Sequence, residues 1–328
     1  MKQASSRNPH IDAFRGISCA FVVFIHCPPT GMISNYIVSL ARFAVPFFIL
    51  VSGWFSHQAT AADTVSFAKR KLMDAINLAA GTLFIYIIWN SLNSLIAGQS
   101  IFAWLYHYLN VETLFNLFVF NRALFINAGM YYLLMMIYVY LLFILIVKLR
   151  LIRFSVWLIP ILLASNIIMG AVLQCPWYYS GNFLFTGLPF FLLGNRLRSY
   201  FSNKAFLPKW SSPMLLFGII LTFIETWLWG QIYCYFGTVL MAVSILLLCV
   251  RGKNSTHFNL IAAFGRKYSM AIFILHCGVR DTVNIITGYS QNLFYRWSLP
   301  VISIAVSTFI AFLYHATLSK LRTNKNTL

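Results

Sequence analysis

Charge is what this 328-residue chain has least of: Asp, Glu, Lys and Arg together make up 9% of it, against 60% hydrophobic residues. A soluble domain of that length needs far more polar surface, so a soluble enzyme or regulator is excluded and a polytopic membrane protein is implied. The short, strictly alternating segments of a membrane barrel are also missing, which leaves helices as the spanning element. The six cysteines form no CxxC pair and no metal-ligand spacing, so neither a zinc nor a redox centre is expected. Cys27, Cys175 and Cys234 fall near expected outer helix ends, where a disulfide has room to form. The N-terminal apolar run contains Asp12 and Arg15 and has no small-residue cleavage site, so it reads as a first span and not as a cleaved signal peptide. With no internal repeat, no low-complexity tract and no soluble appendage, residues 1–328 are expected to form one integral domain.

What is present is a series of apolar runs of about 20 residues, each long enough at about 1.5 Å per residue to cross a hydrocarbon core of about 30 Å. They lie at 12–30, 36–56, 75–97, 129–149, 153–173, 181–199, 213–229, 231–250, 268–288 and 298–318, which predicts an all-α bundle of about ten transmembrane helices. Residues 101–120, which include His107 and Glu112, read as an interfacial helix or folded loop. Basic residues provide an independent check, because cytoplasmic loops collect Lys and Arg. Twenty of the 24 fall on one side of this topology, from Lys2 and Arg7 through Lys69–Lys71, Lys148–Arg153, Arg196–Lys209 and Arg251–Lys267 to Lys320–Lys325; only Arg42, Arg122, Arg280 and Arg296 do not. Both termini are therefore expected in the cytoplasm. The net charge of +18 is explained by topology, and no nucleic-acid partner is called for.

An ionisable group within a span is costly unless it meets water or a partner, which makes each one a functional candidate. These are Asp12, Arg15 and His26 in the first span, Arg42 in the second, Glu225 in the seventh, and His276, Arg280 and Asp281 in the ninth. Asp12 also suits a helix start, Arg280 and Asp281 suit mutual pairing, and Glu225 suits a packing role near a helix end. Arg15 and His26 are eleven residues apart, about 20° beyond three full turns, so they share one helix face at an axial separation of about 16 Å. Between them on that face, the small or slender Ser18, Cys19 and Val22 would line a narrow passage. Such a slot fits an acyl-CoA donor, with phosphates at the cationic mouth and a thioester carried up to an imidazole suited to general-base work.

The motifs carrying these residues resemble those of the acyltransferase-3 family of membrane acyltransferases over nearly the whole chain. The resemblance lies in "IDAFRG" with Arg15 and His26 spaced as Arg-x10-His, in "RFAVPFFILVSGWF" from Arg42, in "AKRK" from Ala68, and in "GMYYLL", "PFFLLGNRL" and "FGRKYSMAIFILH" ending at His276. Met73 stands three residues after Arg70, so the family's Arg-x-x-Arg element is replaced by Lys69, Arg70 and Lys71, and Gly129–Met130 stand where the family often has His-Leu. The short stand-alone branch is implied, without an appended SGNH-type hydrolase domain.

The resemblance implies acyl transfer, usually of acetyl, from cytoplasmic acyl-CoA to a hydroxyl of an extracytoplasmic or lipid-linked glycan, in a cell membrane and most simply a bacterial inner membrane. It implies His26 as the catalytic histidine with Arg15 as its motif partner, a donor-binding role for Arg15, Lys69, Arg70 and Lys71, and pocket roles for Arg42, Ser52 and His276. No metal is expected. Whether His26 acts as a base or carries the acyl group stays open. Asp12 is about 21 Å from His26 by helical rise and out of its reach, whereas Glu225 and Asp281 belong to the outer halves of their spans at a more suitable depth, and of the two Glu225 is the candidate for an orienting partner. Outward-facing Tyr36, Trp177, Tyr178, Tyr179, Trp227 and Trp229 suit either sugar stacking or an interfacial belt. The alternative is a transporter or flippase of an amphipathic or lipid-linked substrate, for which the inverted repeats are missing. A non-catalytic sensor leaves the shared Arg15–His26 face without a purpose.

Overall fold

The computed structural model describes residues 8–108, 110–123, 129–201, 209–252 and 259–325. Lys2, Arg7, Lys204 and Lys253 of the expected basic set lie outside the described residues, as do the side chains of His107, Lys320, Arg322 and Lys325. Among the described residues every regular element is helical. The helices are α1 (Pro9–His26), α2 (Met32–Ala41), α3 (Ala44–Ser56), α4 (Ala61–Ile96), α5 (Ala103–Tyr108), α6 (Val111–Phe120) and α7 (Met130–Lys148), followed by α8 (Ser155–Ala171), α9 (Trp177–Ser180), α10 (Leu188–Phe201), α11 (Ser211–Trp229), α12 (Phe236–Arg251), α13 (Asn259–Ile286) and α14 (Leu293–Lys325).

Each expected span coincides with a helix or a helix pair, but among the described residues only seven segments are long and apolar enough to cross a membrane on that measure. They are Met32–Ser56, Ala61–Ile96, Met130–Lys148, Leu151–Ala171, Ser211–Trp229, Asn259–Ile286 and Leu293–Thr317. The other three expected spans have identifiable reasons for falling short. Asp12 and Arg15 make α1 polar, α10 has 14 residues and α12 has 16. Residues 101–120 form the two short helices α5 and α6, with Phe115 and Phe118 on an exposed face. Cys27, Cys175 and Cys234 are free thiols.

Small residues set the closest contacts, as expected where lipid supplies no hydrophobic drive between helices. A Cβ on Gly265 of α13 would collide with the Asp12 carbonyl of α1, and one on Gly16 would sit 3.0 Å from the Gly265 Cα, so these backbones touch. Gly53 of α3 and Gly194 of α10 meet opposing backbone in the same way, at Phe191 and Leu50. Between α11 and α12, Gly237 abuts Thr222 and Gly218, while the Thr222 and Thr226 hydroxyls donate back to the Gly218 and Thr222 carbonyls at 2.8 and 2.7 Å.

The α1–α13 pair positions the site. Contacts advance together along both helices, from Gly16–Gly265 through the Cys19 Sγ to Ser269 carbonyl bond (3.1 Å) to His26–His276, so the two run parallel. Asn8 caps the start of α1, accepting from the His10 and Ile11 amides, and its amide group donates to the Cys249 carbonyl at the end of α12 at 2.8 Å. The first turn of α1, the end of α12 and the start of α13 thus share one end of the bundle, and His26 lies at the opposite end.

Candidate functional site

Helix α1 ends at His26, whose partly exposed ring faces the fully buried His276 ring at a centroid separation of 5.2 Å. The Nδ1 of His276 lies 3.0 Å from the Ile272 carbonyl, which only accepts, so that nitrogen carries the proton. In the neutral ring Nε2 is then the acceptor, and the Cys277 thiol donates to it at 3.2 Å. Among the described residues no hydrogen bond to the His26 ring is seen.

Arg280 ties the two helices together here. Its Nη1 donates to the His26 carbonyl at 3.1 Å, satisfying one of the acceptors that a helix C-terminus leaves over, while Nε and Nη2 hold Asp281 at 2.8 and 2.7 Å. Arg42, in the break between α2 and α3, lies with its guanidinium 5.3 Å from the centre of the Tyr233 ring. The Tyr233 hydroxyl donates to that of Tyr131 at 3.2 Å, and Trp177 stacks on Tyr233 with ring centres 6.4 Å apart. Both Arg42 and Arg280 are within electrostatic reach of His26. His26, His276 and Cys277 each offer a ligand atom within 4.8 Å of the others, and within this trio the Cys277 thiol is hydrogen-bonded to the His276 ring.

The other end of α1 is cationic. Arg15 is partly exposed and pairs with the buried Asp12 at 3.6 Å. A cleft of about 470 Å³ between the first turns of α4 and the end of α7 is lined by Ala61, Val65, Ser66, Lys69, Lys148 and Arg150. Arg70 donates to Ser66 at 3.2 Å and Lys71 pairs with Asp74 at 2.9 Å, so of the expected basic triplet it is Lys69 that lines the cleft. With 36 residues α4 is about 54 Å long, which lets it carry this basic segment beyond a bilayer while its later turns remain inside.

Between the two ends the expectation needs correcting. Ser18, Cys19 and Val22 do not line a passage: they are 0 to 1% exposed, closed in by packing that includes the α13 contact at Ser269. The groups joining the ends are aromatic. Ser52, whose hydroxyl donates to the Phe48 carbonyl at 2.9 Å, interacts with the Tyr132 and Tyr140 hydroxyls, and Arg15 is in electrostatic reach of both. Phe273 then packs against Tyr132 on one side (5.1 Å) and His276 on the other (6.1 Å).

Glu225 takes a different position from the one expected of a partner for His26. It is 2% exposed, and its Oε1 and Oε2 accept from the Phe236 and Gly237 amides, both at 2.9 Å. These are free donors of the first turn of α12, so the carboxylate caps that helix and meets the positive end of its dipole. Sequence reasoning therefore brings His26, His276 and Arg42 to one region, and it overlooks Tyr132, Tyr233 and Cys277. Cys277 carried the one available signal, since it adjoins a histidine already singled out.

The family model described as "Acyltransferase domain", that of the acyltransferase-3 family, matches residues 8–318. The chain belongs to the acyltransferase-3 family. No curated protein and no solved structure matches it. An acyltransferase of this family needs an acyl donor and an acceptor, and seven apolar helices make this member a multi-pass membrane protein. Its Arg-x10-His element is the one that runs from Arg15, near the cationic cleft end, to His26 beside His276.

Proposed function

We propose that this acyltransferase is a membrane O-acyltransferase, most simply an O-acetyltransferase, that moves an acyl group from cytoplasmic acyl-CoA to a hydroxyl of an extracytoplasmic or lipid-linked glycan. The observation that carries the reading is the pairing of a proton-accepting imidazole at one end of α1 with a cationic cleft at the other. In this reading Lys69, with Lys148 and Arg150, holds the phosphates of the donor, and Arg15 steers it inward. Arg70 and Lys71 add to the positive field at that mouth.

The thioester carbonyl then stands beside His26. His26 takes the proton from the acceptor hydroxyl as that oxygen bonds to the carbonyl carbon. Charge on the carbonyl oxygen is offset by the guanidinium groups of Arg42 and Arg280 until the C–S bond breaks, and the proton passes from His26 to the departing thiolate. His276 holds the His26 ring in place by contact, so the orienting role falls to it and not to Glu225. Ser52 contributes through Tyr132 and Tyr140, which flank the donor path. Trp177, exposed and stacked on the buried Tyr233 that packs against Arg42, offers a face for a sugar ring. We place about ten crossings in one integral domain, with both termini cytoplasmic, in the plasma membrane and specifically a bacterial inner membrane. The parallel run of α1 and α13 supports this count, because first and ninth spans cross in the same direction.

Incubating the purified chain with radiolabelled acetyl-CoA and a panel of glycans, with His26→Ala alongside, tests the reading. Label should move to a glycan hydroxyl with wild type and fall by about 100-fold or more with the variant. Absence of turnover with any acyl-CoA, or full turnover by His26→Ala, overturns it.

A further inference from the structure

Three metal-ligating atoms from two helices meet where α1 ends. His26 and His276 each offer a ring nitrogen and Cys277 its Sγ, all within 4.8 Å of one another, and the Cys277 Sγ is 3.2 Å from the His276 Nε2. Metal bonds of about 2.0 Å to imidazole and about 2.3 Å to thiolate set tetrahedral ligand atoms about 3.3 to 3.6 Å apart, so His276 and Cys277 already stand at chelating distance. His26 has at most about 1.5 Å to close, which rotation of its side chain supplies. The Nδ1 of His276 donates to the Ile272 carbonyl at 3.0 Å, an arrangement metal-binding histidines normally show, because it fixes the tautomer that leaves the Nε2 lone pair free for an ion. Packing buries His276 and Cys277 completely, while His26 is partly exposed and lies on the side from which an ion enters. Arg280, which touches this end of α1, is ion-paired with Asp281 at 2.7 Å, so its charge is offset. Spacing along the chain hides the set, because His26 is far in sequence from the other two.

We propose that His26, His276 and Cys277 form a three-ligand site for Zn2+ with the fourth position open, and that zinc bound there withdraws His26 from catalysis and stops acyl transfer. The inhibition rests on the acyl-transfer reading; the metal site itself does not. On binding, the Cys277 thiol releases its proton to the buffer. The resulting thiolate and one lone pair from each imidazole bond the ion, water takes the fourth position, and no group is oxidised or reduced. A His26 nitrogen bonded to zinc cannot take the proton of the acceptor hydroxyl. A set of two imidazoles and one thiolate selects zinc over Mg2+ and Ca2+, which take oxygen ligands.

The test uses the full chain in detergent, stripped of metal by a chelator and kept free of coenzyme A, whose thiol binds zinc. Equilibrium dialysis against radiolabelled Zn2+ should show one saturable site, unaffected by excess Mg2+ and weakened about tenfold or more by Cys277→Ser and by His26→Gln. His26→Gln, at the exposed end of α1, decides the matter if Cys277→Ser does not fold. Co2+ in place of zinc should give a thiolate-to-metal charge-transfer band in the near ultraviolet that Cys277→Ser lacks. No saturable zinc binding to wild type, binding that both variants retain in full, or a cobalt complex without that band overturns the site. Initial rates of acetyl transfer, taken for each protein as the fraction that survives saturating zinc, should drop about tenfold or more for wild type, recover on adding chelator, and change far less for Cys277→Ser. Zinc binding that leaves the wild-type rate unchanged sinks the inhibition and leaves the metal site standing. Zinc binding by a protein that transfers no acyl group even without zinc sinks the acyl-transfer reading alone.

Discussion

Replacing Glu225 by Gln separates a structural carboxylate from a chemical one. In the native protein each carboxylate oxygen accepts one amide, from Phe236 and Gly237, at 2.9 Å, in a position 2% exposed. Glutamine keeps one carbonyl acceptor and turns an amide donor toward the other N–H. The variant therefore loses one charge-assisted hydrogen bond, leaves a buried donor unsatisfied and forfeits the favourable dipole interaction at the start of α12. Each of the first two effects is worth about 1 to 3 kcal/mol, and their overlap gives an expected loss of about 2 to 4 kcal/mol. Thermal unfolding of the purified protein in detergent should fall accordingly, while the pH dependence of acetyl transfer, measured below the variant's transition, should keep its shape. Unchanged thermal stability together with a shifted pH profile would refute the capping role and return Glu225 to the proton path.

Three further outcomes follow from the same geometry. Gly265→Ala should drive α1 and α13 apart, costing about 1 to 3 kcal/mol of stability and reducing acetyl transfer through the widened His26–His276 gap, as thermal unfolding and rate measurements on one preparation will register. Joint replacement of Lys69 and Lys148 by Gln should raise the KM for acetyl-CoA with little change in kcat; an unaltered KM would remove the cleft from the donor path. His57, which ends α3, has its pKa held below the ordinary 6.5, first by burial and then by the nearby Arg198 and Arg196. The unfolded chain thus binds more protons than the folded one as pH drops below that value, so acidification lowers stability. His57→Gln should flatten this slope relative to wild type in unfolding curves between pH 7 and 5, and an identical slope would contradict it.

The sequence by itself determined the class of molecule, because apolar runs of spanning length are a local property that no packing can reverse. It also determined the Arg15–His26 relation, since two residues on one helix keep their spacing and face wherever that helix goes. It singled out His276 and Arg42 as candidates by residue type and motif. Only the tertiary structure decided what meets what. The touching of Gly16 and Gly265 sets α1 and α13 in register and so brings His26 onto His276, across 250 residues of chain. The same packing buries Ser18, Cys19 and Val22, which a helical wheel leaves open, and passes the connecting role to Tyr132 and Phe273 on other helices. Glu225 is the clearest case. Its depth in the bundle matched that of a partner for His26, yet a carboxylate goes to the nearest uncompensated donors, and the turn that brings the start of α12 alongside α11 supplies two of them.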